Sequence, residues 1–126
     1  MLTRAQVDEL EKLIGQLESL HSELSALAKK SPNDAVNGFK LRFVNTTLKS
    51  CNMLLGEKYK PFSDFEQLDA DEVLSNSDVT LIISQYSQTV EKFRSDNIYQ
   101  DLGRWYYKTQ GGGEKVETAP PAKLKK

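Results

Sequence analysis

The first thirty residues repeat their apolar positions with the spacing of an amphipathic helix. Leucines recur every seven residues in two series, which are Leu10, Leu17, Leu24 and Leu13, Leu20, Leu27. Before them, Thr3 and Gln6 have the spacing of a capping box, in which the hydroxyl accepts from a free backbone amide and Gln6 reaches back. The pattern predicts a helix over about residues 3–30, with an apolar stripe wide enough to pack against two neighbours.

A second apolar pattern follows Ser31 and Pro32, which predict the end of the first helix and the start of the next. Alternating steps of three and four residues define one face, formed by Leu41, Val44, Leu48, Cys51 and Leu55. Phe39 and Phe43 widen this face, and Gly56 suits the end of the helix. A helix that is apolar over so much of its circumference is expected at the centre of a bundle.

The third long pattern begins at Ser75, which can cap a helix whose first turn includes Asp78. Its apolar stripe contains Val79, Ile82, Ile83, Tyr86, Val90 and Phe93. The same spacing continues through Ile98 and Leu102 toward Trp105, so the helix is expected to extend into this region.

The connection over residues 57–74 contains aromatic side chains among acidic ones. Ser63 and Glu66 have the spacing of a helix cap, which predicts one short helix over about residues 64–72. A connection of this length is usually either pinned to the core or used for binding. Both interpretations stay open on the sequence alone.

Together these elements predict an all-α fold, an antiparallel bundle of three long helices with one short helix in the 57–74 connection. Residues 1–108 are expected to form this single domain. Residues 109–126 contain three successive glycines, two adjacent prolines and several charges. Such a segment buries too little apolar surface to offset its ordering entropy, so it is predicted to be a flexible, disordered and charged tail.

Composition narrows the class of protein. The chain has 126 residues, of which 38% are hydrophobic and 28% charged, with a net charge of −1, one cysteine and one histidine. This length fits one domain, and a single cysteine forms no intramolecular disulfide. No run approaches the roughly 20 apolar residues of a membrane span, so no membrane association is expected. The free thiol and the polar start of the chain favour a cytoplasmic location.

Charge alternates in blocks along the chain. Residues 1–28 and 61–101 are acidic overall, whereas residues 29–60 and 102–126 are basic. This alternation favours a bundle whose helices complement one another, and it is also compatible with a polar surface that binds a partner. A net charge near zero argues against adhesion to nucleic acid or membranes by bulk charge.

Catalysis is not expected. His21 lies at the edge of the leucine stripe and Cys51 on the apolar face of the second helix, so nothing in their spacing predicts a nucleophilic pair. A structural zinc site needs four cysteine or histidine ligands, and this chain has one cysteine and one histidine. The run that begins at Asp69 lacks the glycine and the final glutamate of a calcium loop. We therefore predict no enzyme activity, no cofactor and no metal.

Protein–protein association is the favoured function, as an adaptor, assembly factor, regulator or inhibitor of another macromolecule. The contact would be made by a helix face or by the acidic aromatic connection. The candidate partner-binding residues are Tyr59, Phe62, Asp64, Phe65, Glu66, Asp69 and Asp71. The leucine face of the first helix also allows a homodimer, because such a stripe serves an intermolecular bundle as well as an internal one.

Nucleic-acid binding is the alternative. Five consecutive residues combine rings that can stack on bases with cations that attract phosphates, and bases of the second helix add to them. The candidates are Lys40, Arg42, Lys49, Arg104, Trp105, Tyr106, Tyr107 and Lys108. In the competing interpretation, Trp105 and one of the tyrosines fold back and close the end of the bundle.

Overall fold

In the computed structural model, which describes residues 1–63, 65, 67–69, 71–111 and 113–122, three long helices precede a small sheet. The elements are α1 (Arg4–Lys30), α2 (Gly38–Tyr59), α3 (Asn76–Asp96), β1 (Ile98–Asp101), β2 (Arg104–Tyr107) and β3 (Glu117–Thr118). The strands lie in the order β1-β2-β3, and each pair is antiparallel. The prediction of an all-α bundle is therefore wrong, although its three long helices are present.

Helix α1 begins where the sequence predicts. The Thr3 amide donates to Gln6 Oε1 at 2.9 Å and the Gln6 amide to Thr3 Oγ1 at 3.1 Å, which completes the capping box. One side of the helix is buried through Val7, Leu10, Leu13, Leu17 and Leu24. These leucines pack in the core of the same chain.

Helix α2 begins six residues later than predicted, because Asn37 and not Ser31 caps it. The Asn37 side chain accepts from the Lys40 amide at 2.8 Å. The face predicted from alternating steps of three and four residues is buried, as expected, and comprises Leu41, Val44, Leu48, Cys51 and Leu55. The backbone leaves helical geometry at Gly56, whose φ of 68° is one that glycine adopts without strain.

Helices α2 and α3 run in the same direction, and both run opposite to α1. At one end the Val36 amide donates to the Leu74 carbonyl at 2.9 Å, immediately before the two helices begin. At the other end the Tyr59 hydroxyl donates to Asp96 Oδ2 at 2.6 Å. The predicted antiparallel arrangement is thus wrong for this pair, since α3 starts beside the start of α2.

The connection from α2 to α3 must therefore return along the length of the bundle. Asn45 pins it near its middle, because its side chain donates to the Leu68 carbonyl at 2.9 Å and accepts from the Leu68 amide at 2.8 Å. Leu68 is buried. The described residues between 64 and 72 contain no helix, so the predicted short helix is not found there; residues 64, 66 and 70 lie outside the described part.

A hairpin replaces the predicted continuation of α3. The helix ends at Asp96, and β1 and β2 are joined by Leu102 and Gly103, whose φ values are 50° and 81°. Two successive positive φ values are characteristic of the tight turn that connects neighbouring antiparallel strands. Ile98 lies opposite Tyr107 on the buried face of the hairpin. Residues whose apolar positions match a helical spacing thus form strands here.

The chain beyond Gly113 returns to the bundle. Thr118 of β3 pairs with Trp105 and Glu117 with Tyr106, which makes β3 the third strand of the sheet. Val116 packs against the core. The prediction of a disordered tail is therefore wrong for this described part of it.

A buried ion pair of α3 holds the segment after β3. The Arg94 guanidinium donates to the Thr118 hydroxyl and to the carbonyls of Ala119 and Pro120, each at 2.9 Å. It also binds Glu91, with Nε 2.7 Å from Oε1. Glu91 in turn accepts from the Ala122 amide at 2.9 Å. Because backbone carbonyl oxygens are acceptors and the guanidinium carries only donors, the carbonyls of this segment are the backbone groups that Arg94 can bind.

The ion pair makes stability depend on pH. Burial by itself raises the pKa of the Glu91 carboxyl, but hydrogen bonds from Arg94, the Ala122 amide and Ser95 outweigh it and hold the pKa below its ordinary value of 4.5. The folded chain therefore keeps this carboxylate charged at a pH where the unfolded chain protonates it. The resulting stabilisation is complete above about pH 4.5 and is lost as the pH falls through the folded-state pKa.

We expect Glu91→Gln to lower the free energy of unfolding at neutral pH by about 1–3 kcal/mol, because Arg94 then lacks its charged acceptor. Urea denaturation at several pH values measures this, and the difference from the unmodified chain should shrink below about pH 4.5. Glu114→Gln is the matched control, since Glu114 is exposed and pairs with no described residue. A Glu91→Gln difference that stays constant from pH 7 to pH 3 would contradict this account.

Candidate interaction surface

The aromatic residues of the connection are part of the core packing. The ring centroid of Phe62 lies 5.6 Å from that of Phe65 and 6.4 Å from that of Tyr86, and both phenylalanines are half-buried. Tyr59 packs edge-on against Phe93 with 5.1 Å between centroids. Of the two interpretations left open by the sequence, these contacts match the one in which the rings pin the connection to the core.

The acidic candidates of the connection do not join these rings in one described surface. Asp69 and Asp71 are exposed, and the Asp69 carboxylate accepts from the Asp71 amide at 2.9 Å. Asp64 and Glu66 lie outside the described residues. The Tyr59 hydroxyl donates to the Asp96 carboxylate. This hydrogen bond is the main cause that raises the pKa of the tyrosine hydroxyl, and burial is the second.

The basic aromatic segment is divided between the two faces of the sheet. Tyr107 is buried and Trp105 packs against the core, whereas Arg104 and Tyr106 lie on the outer face. Lys108 is exposed beyond the strand, with its ammonium 3.4 Å from the Asp96 carbonyl. The rings and cations therefore do not form one continuous surface for stacking and phosphate binding.

The charged residues on the outer face of the sheet form ion pairs with one another. Arg104 lies 3.9 Å from Glu117, and Lys115 forms an ion pair with Asp101 at 2.7 Å. The Lys115 ammonium additionally lies 5.1 Å from the centroid of the Tyr106 ring. Paired cations of this kind give little net attraction for a phosphate backbone.

Cys51 and His21 lie on different helices, α2 and α1. Cys51 is completely buried, and burial, together with the more distant Glu9 carboxylate, raises its pKa to about 12. The thiolate that nucleophilic catalysis requires therefore does not form near neutral pH. His21 is near the Ser25 hydroxyl, with 3.4 Å between Oγ and Nδ1. Across the described chain, no three side chains among His, Cys, Asp and Glu converge as in a metal site.

The solvent side of α2 carries large apolar side chains that are mostly exposed. Phe39 is 63% exposed, Phe43 is 53% exposed and Met53 is 80% exposed. The two rings contact each other edge-on with 4.9 Å between centroids. The expectation that Phe39 and Phe43 widen the buried face is thus wrong, and α2 lies at the side of the bundle and not at its centre.

These apolar residues belong to a second seam along α2. Steps of four, three, four and three residues connect Phe39, Phe43, Thr46, Ser50 and Met53. We call this set the outer seam of α2. It lies opposite the buried face, which follows the same kind of spacing. The sequence contains this signal, but spacing alone does not say which of two seams is covered.

Unpaired cations flank the outer seam. Arg42 and Lys49 are seven residues apart and therefore lie on the same side of it, and neither forms an ion pair with a described residue. The Arg42 guanidinium carbon lies 5.9 Å from the centroid of Phe39. On the other side, Lys40 forms an ion pair with Glu23 of α1 at 2.6 Å.

A shallow groove runs beside these cations. Its volume is about 450 Å³, and it is lined by Gly38, Leu41, Arg42, Asn45, Thr46, Lys49 and Gln67. Arg42, Thr46 and Lys49 are exposed, so side chains of a bound molecule can reach them from solvent. The face of α2 thus combines exposed rings, two available cations and a groove.

None of the three helices, in the part of the chain that the structure describes, is long and apolar enough to cross a membrane. The exposed apolar residues of α2 alternate with hydroxyl and basic side chains and form only one stripe.

Truncation of Phe62 should destabilise the fold, whereas truncation of Phe39 should leave its stability nearly unchanged. Phe62→Ala removes a ring packed on Tyr86 and Phe65, so we expect the free energy of unfolding to fall by about 1–3 kcal/mol. Phe39→Ala removes an exposed ring and should change it by less than about 0.5 kcal/mol. Urea denaturation of both variants measures this, and a Phe62→Ala protein as stable as Phe39→Ala would show that the connection is not pinned as described.

Comparison with known proteins assigns no family to the chain. No protein-family model, no curated protein and no solved structure matches it. Among the surfaces of the described residues, the face of α2 combines uncovered rings with two cations that pair with no described acid.

Proposed function

We propose that this protein is a non-enzymatic protein–protein interaction module that binds its partner through the outer seam of α2. It would act as an adaptor, assembly factor, regulator or inhibitor of another macromolecule. The observation that carries the proposal is the exposure of Phe39, Phe43 and Met53 in one stripe of a well-formed helix. A cytoplasmic setting, in which the thiol of Cys51 stays reduced, belongs to the same proposal.

The energetic argument rests on the cost of leaving this stripe in water. Isolated apolar residues on a surface are ordinary, but a contiguous set rimmed by polar side chains is typical of a contact site. Burying one large apolar side chain is worth about 1.5–3 kcal/mol. Phe39 and Phe43 in contact with a partner would therefore supply a substantial part of the affinity of a moderate complex.

The connection and the sheet are less suitable surfaces for binding a partner. Phe62 and Phe65 already pack on the core, so binding through them would require the connection to detach. The leucines of α1 are likewise buried within the chain. For nucleic acid, Tyr107 of β2 faces the core and Arg104 lies beside Glu117, so neither is free to bind. The outer seam of α2 needs no rearrangement before it can bind.

Site-specific photo-crosslinking in the native cells tests the proposal. A benzophenone side chain replaces Thr46, in the middle of the outer seam, or the exposed Leu81 of α3 as the matched control. We expect the probe at position 46 to crosslink one protein, and we expect Phe39→Ser with Phe43→Ser to abolish that product. Circular dichroism of the double variant should be unchanged, because neither ring is buried.

Crosslinks of equal pattern from positions 46 and 81 would contradict a dedicated surface on α2. A crosslinked protein that persists in the Phe39→Ser and Phe43→Ser double variant would also contradict it, because the seam would then contribute nothing. A product that nuclease removes would favour the nucleic-acid alternative.

A further inference from the structure

We infer that the partner segment which occupies the outer seam of α2 is an amphipathic α-helix with acidic residues beside its apolar stripe. This inference rests on the proposed function and adds the conformation and the charge of what is bound. Three features of α2 carry it, which are the spacing of the seam, the distribution of large and small residues along it, and the sign of the flanking charges.

The spacing of the seam is that of helix-to-helix contact. Steps of four and three residues from Phe39 to Met53 keep the side chains in one line along α2, as in the seam of a coiled coil. At 1.5 Å per residue the seam is about 21 Å long, which corresponds to about four helical turns of a partner. An extended strand needs unpaired backbone groups at a sheet edge, and a helix face offers none.

Residue size varies along the seam in a way that suits a second helix. Large apolar side chains stand near both ends, at Phe39 and Phe43 and again at Met53, whereas Thr46 and Ser50 lie between them. Small residues in the middle allow the closest approach of the two backbones there. The larger side chains then pack around the partner on either side of the crossing point.

The charges around the seam select an acidic partner. From Gly38 to Leu55 the charged residues are Lys40, Arg42 and Lys49, and no acid is among them. Glu23 forms an ion pair with Lys40, whereas Arg42 and Lys49 pair with no described acid and can meet charges from outside. Because these two are seven residues apart, acidic residues at the same interval on a partner helix would face both of them.

The groove beside Arg42 and Lys49 gives such acids a place to bind. It is lined by the two cations, by the Gln67 side chain and by Gly38, which has no side chain to obstruct its edge. Arginine donates to a carboxylate in a planar, two-point geometry, and lysine adds a compact charge. A glutamate of the partner would thus be held at the rim while apolar residues fill the seam.

Other occupants fit less well. Two copies of this face would bring cations together without an acid to pair with them. The last four residues of the chain are three lysines and a leucine, whose charge is also of the wrong sign for this surface. A partner helix with acidic flanks is the occupant that satisfies both the apolar seam and its cations.

Two synthetic helical peptides test the inference with the full-length chain. Both peptides are about three heptads long and have the same leucine and alanine seam. One carries glutamate at the flanking positions and the other carries lysine. Fluorescence anisotropy at low and moderate salt should show the glutamate peptide binding at least about tenfold more tightly, with the difference reduced by salt.

Charge reversal on the protein should invert this preference. With Arg42→Glu and Lys49→Glu combined, we expect the lysine peptide to bind more tightly than the glutamate peptide. Lys12→Glu and Lys29→Glu combined is the matched control, since it changes the net charge equally at exposed positions of α1. This control should keep the original preference, and Phe39→Ser with Phe43→Ser should weaken both peptides.

Each other outcome overturns the inference in a recognisable way. Equal or absent binding of both peptides, together with an intact crosslink from position 46 in cells, would leave the interaction module standing and remove the acidic helix. Sedimentation as a dimer that Phe39→Ser with Phe43→Ser disrupts would identify a second copy as the occupant. Stronger binding of a single-stranded oligonucleotide that the same double variant leaves unchanged would identify the cations as a phosphate site.

Discussion

The packing of α1 against α3 is the interaction on which the rest of the structure depends. The leucines of α1 meet the buried stripe of α3, which comprises Val79, Ile83, Tyr86, Val90 and Phe93. This contact is more extensive than the contact of either helix with α2. Helix α2 therefore covers the pair from one side, buries one face against it and leaves the opposite face in solvent.

The parallel direction of α2 and α3 determines how the rest of the chain is arranged. Because the chain must travel back along the bundle between them, the connection is long, and Phe62, Phe65 and Leu68 anchor it. The end of α3 then lies beside the start of α1, where the hairpin packs and the Leu2 amide donates to the Lys108 carbonyl at 2.9 Å. Arg94 finally draws the segment after β3 onto α3. Both long irregular segments thus serve packing, which leaves α2 as the face with uncovered rings.

Signals formed by residues close together in the sequence predict the elements that depend on those residues alone. The capping box of Thr3 and Gln6 and the leucine repeat specify α1, and Ser75 specifies the start of α3. The hairpin was missed because Ile98 and Leu102 continue the helical spacing of α3, whereas the turn at Leu102 and Gly103 decides for strands. The attachment of the C-terminal segment is not predicted because it depends on hydrogen bonds from Arg94 to acceptors that lie more than twenty residues further along the chain.

The candidate site was hard to predict for a different reason. Helix α2 carries two seams with nearly the same spacing, and either would serve as a buried face. Which of them is covered depends on where α1 and α3 lie, and the order of residues in α2 does not contain that information. The sequence names Arg42 and Lys49 as candidate contacts for nucleic acid, but their relation to Phe39 and Phe43 becomes visible only when the other seam is buried.

The central claim is that the outer seam of α2 is uncovered in the isolated chain and covered by a bound helix. Hydroxyl-radical footprinting read by mass spectrometry measures this residue by residue. We expect rapid oxidation of Phe39, Phe43 and Met53 in the free chain and protection of all three by the acidic helical peptide, with Met1 oxidised and Tyr86 protected in both states. Protection of the three seam residues in the free chain, or their unchanged oxidation in the presence of saturating peptide, would contradict the account.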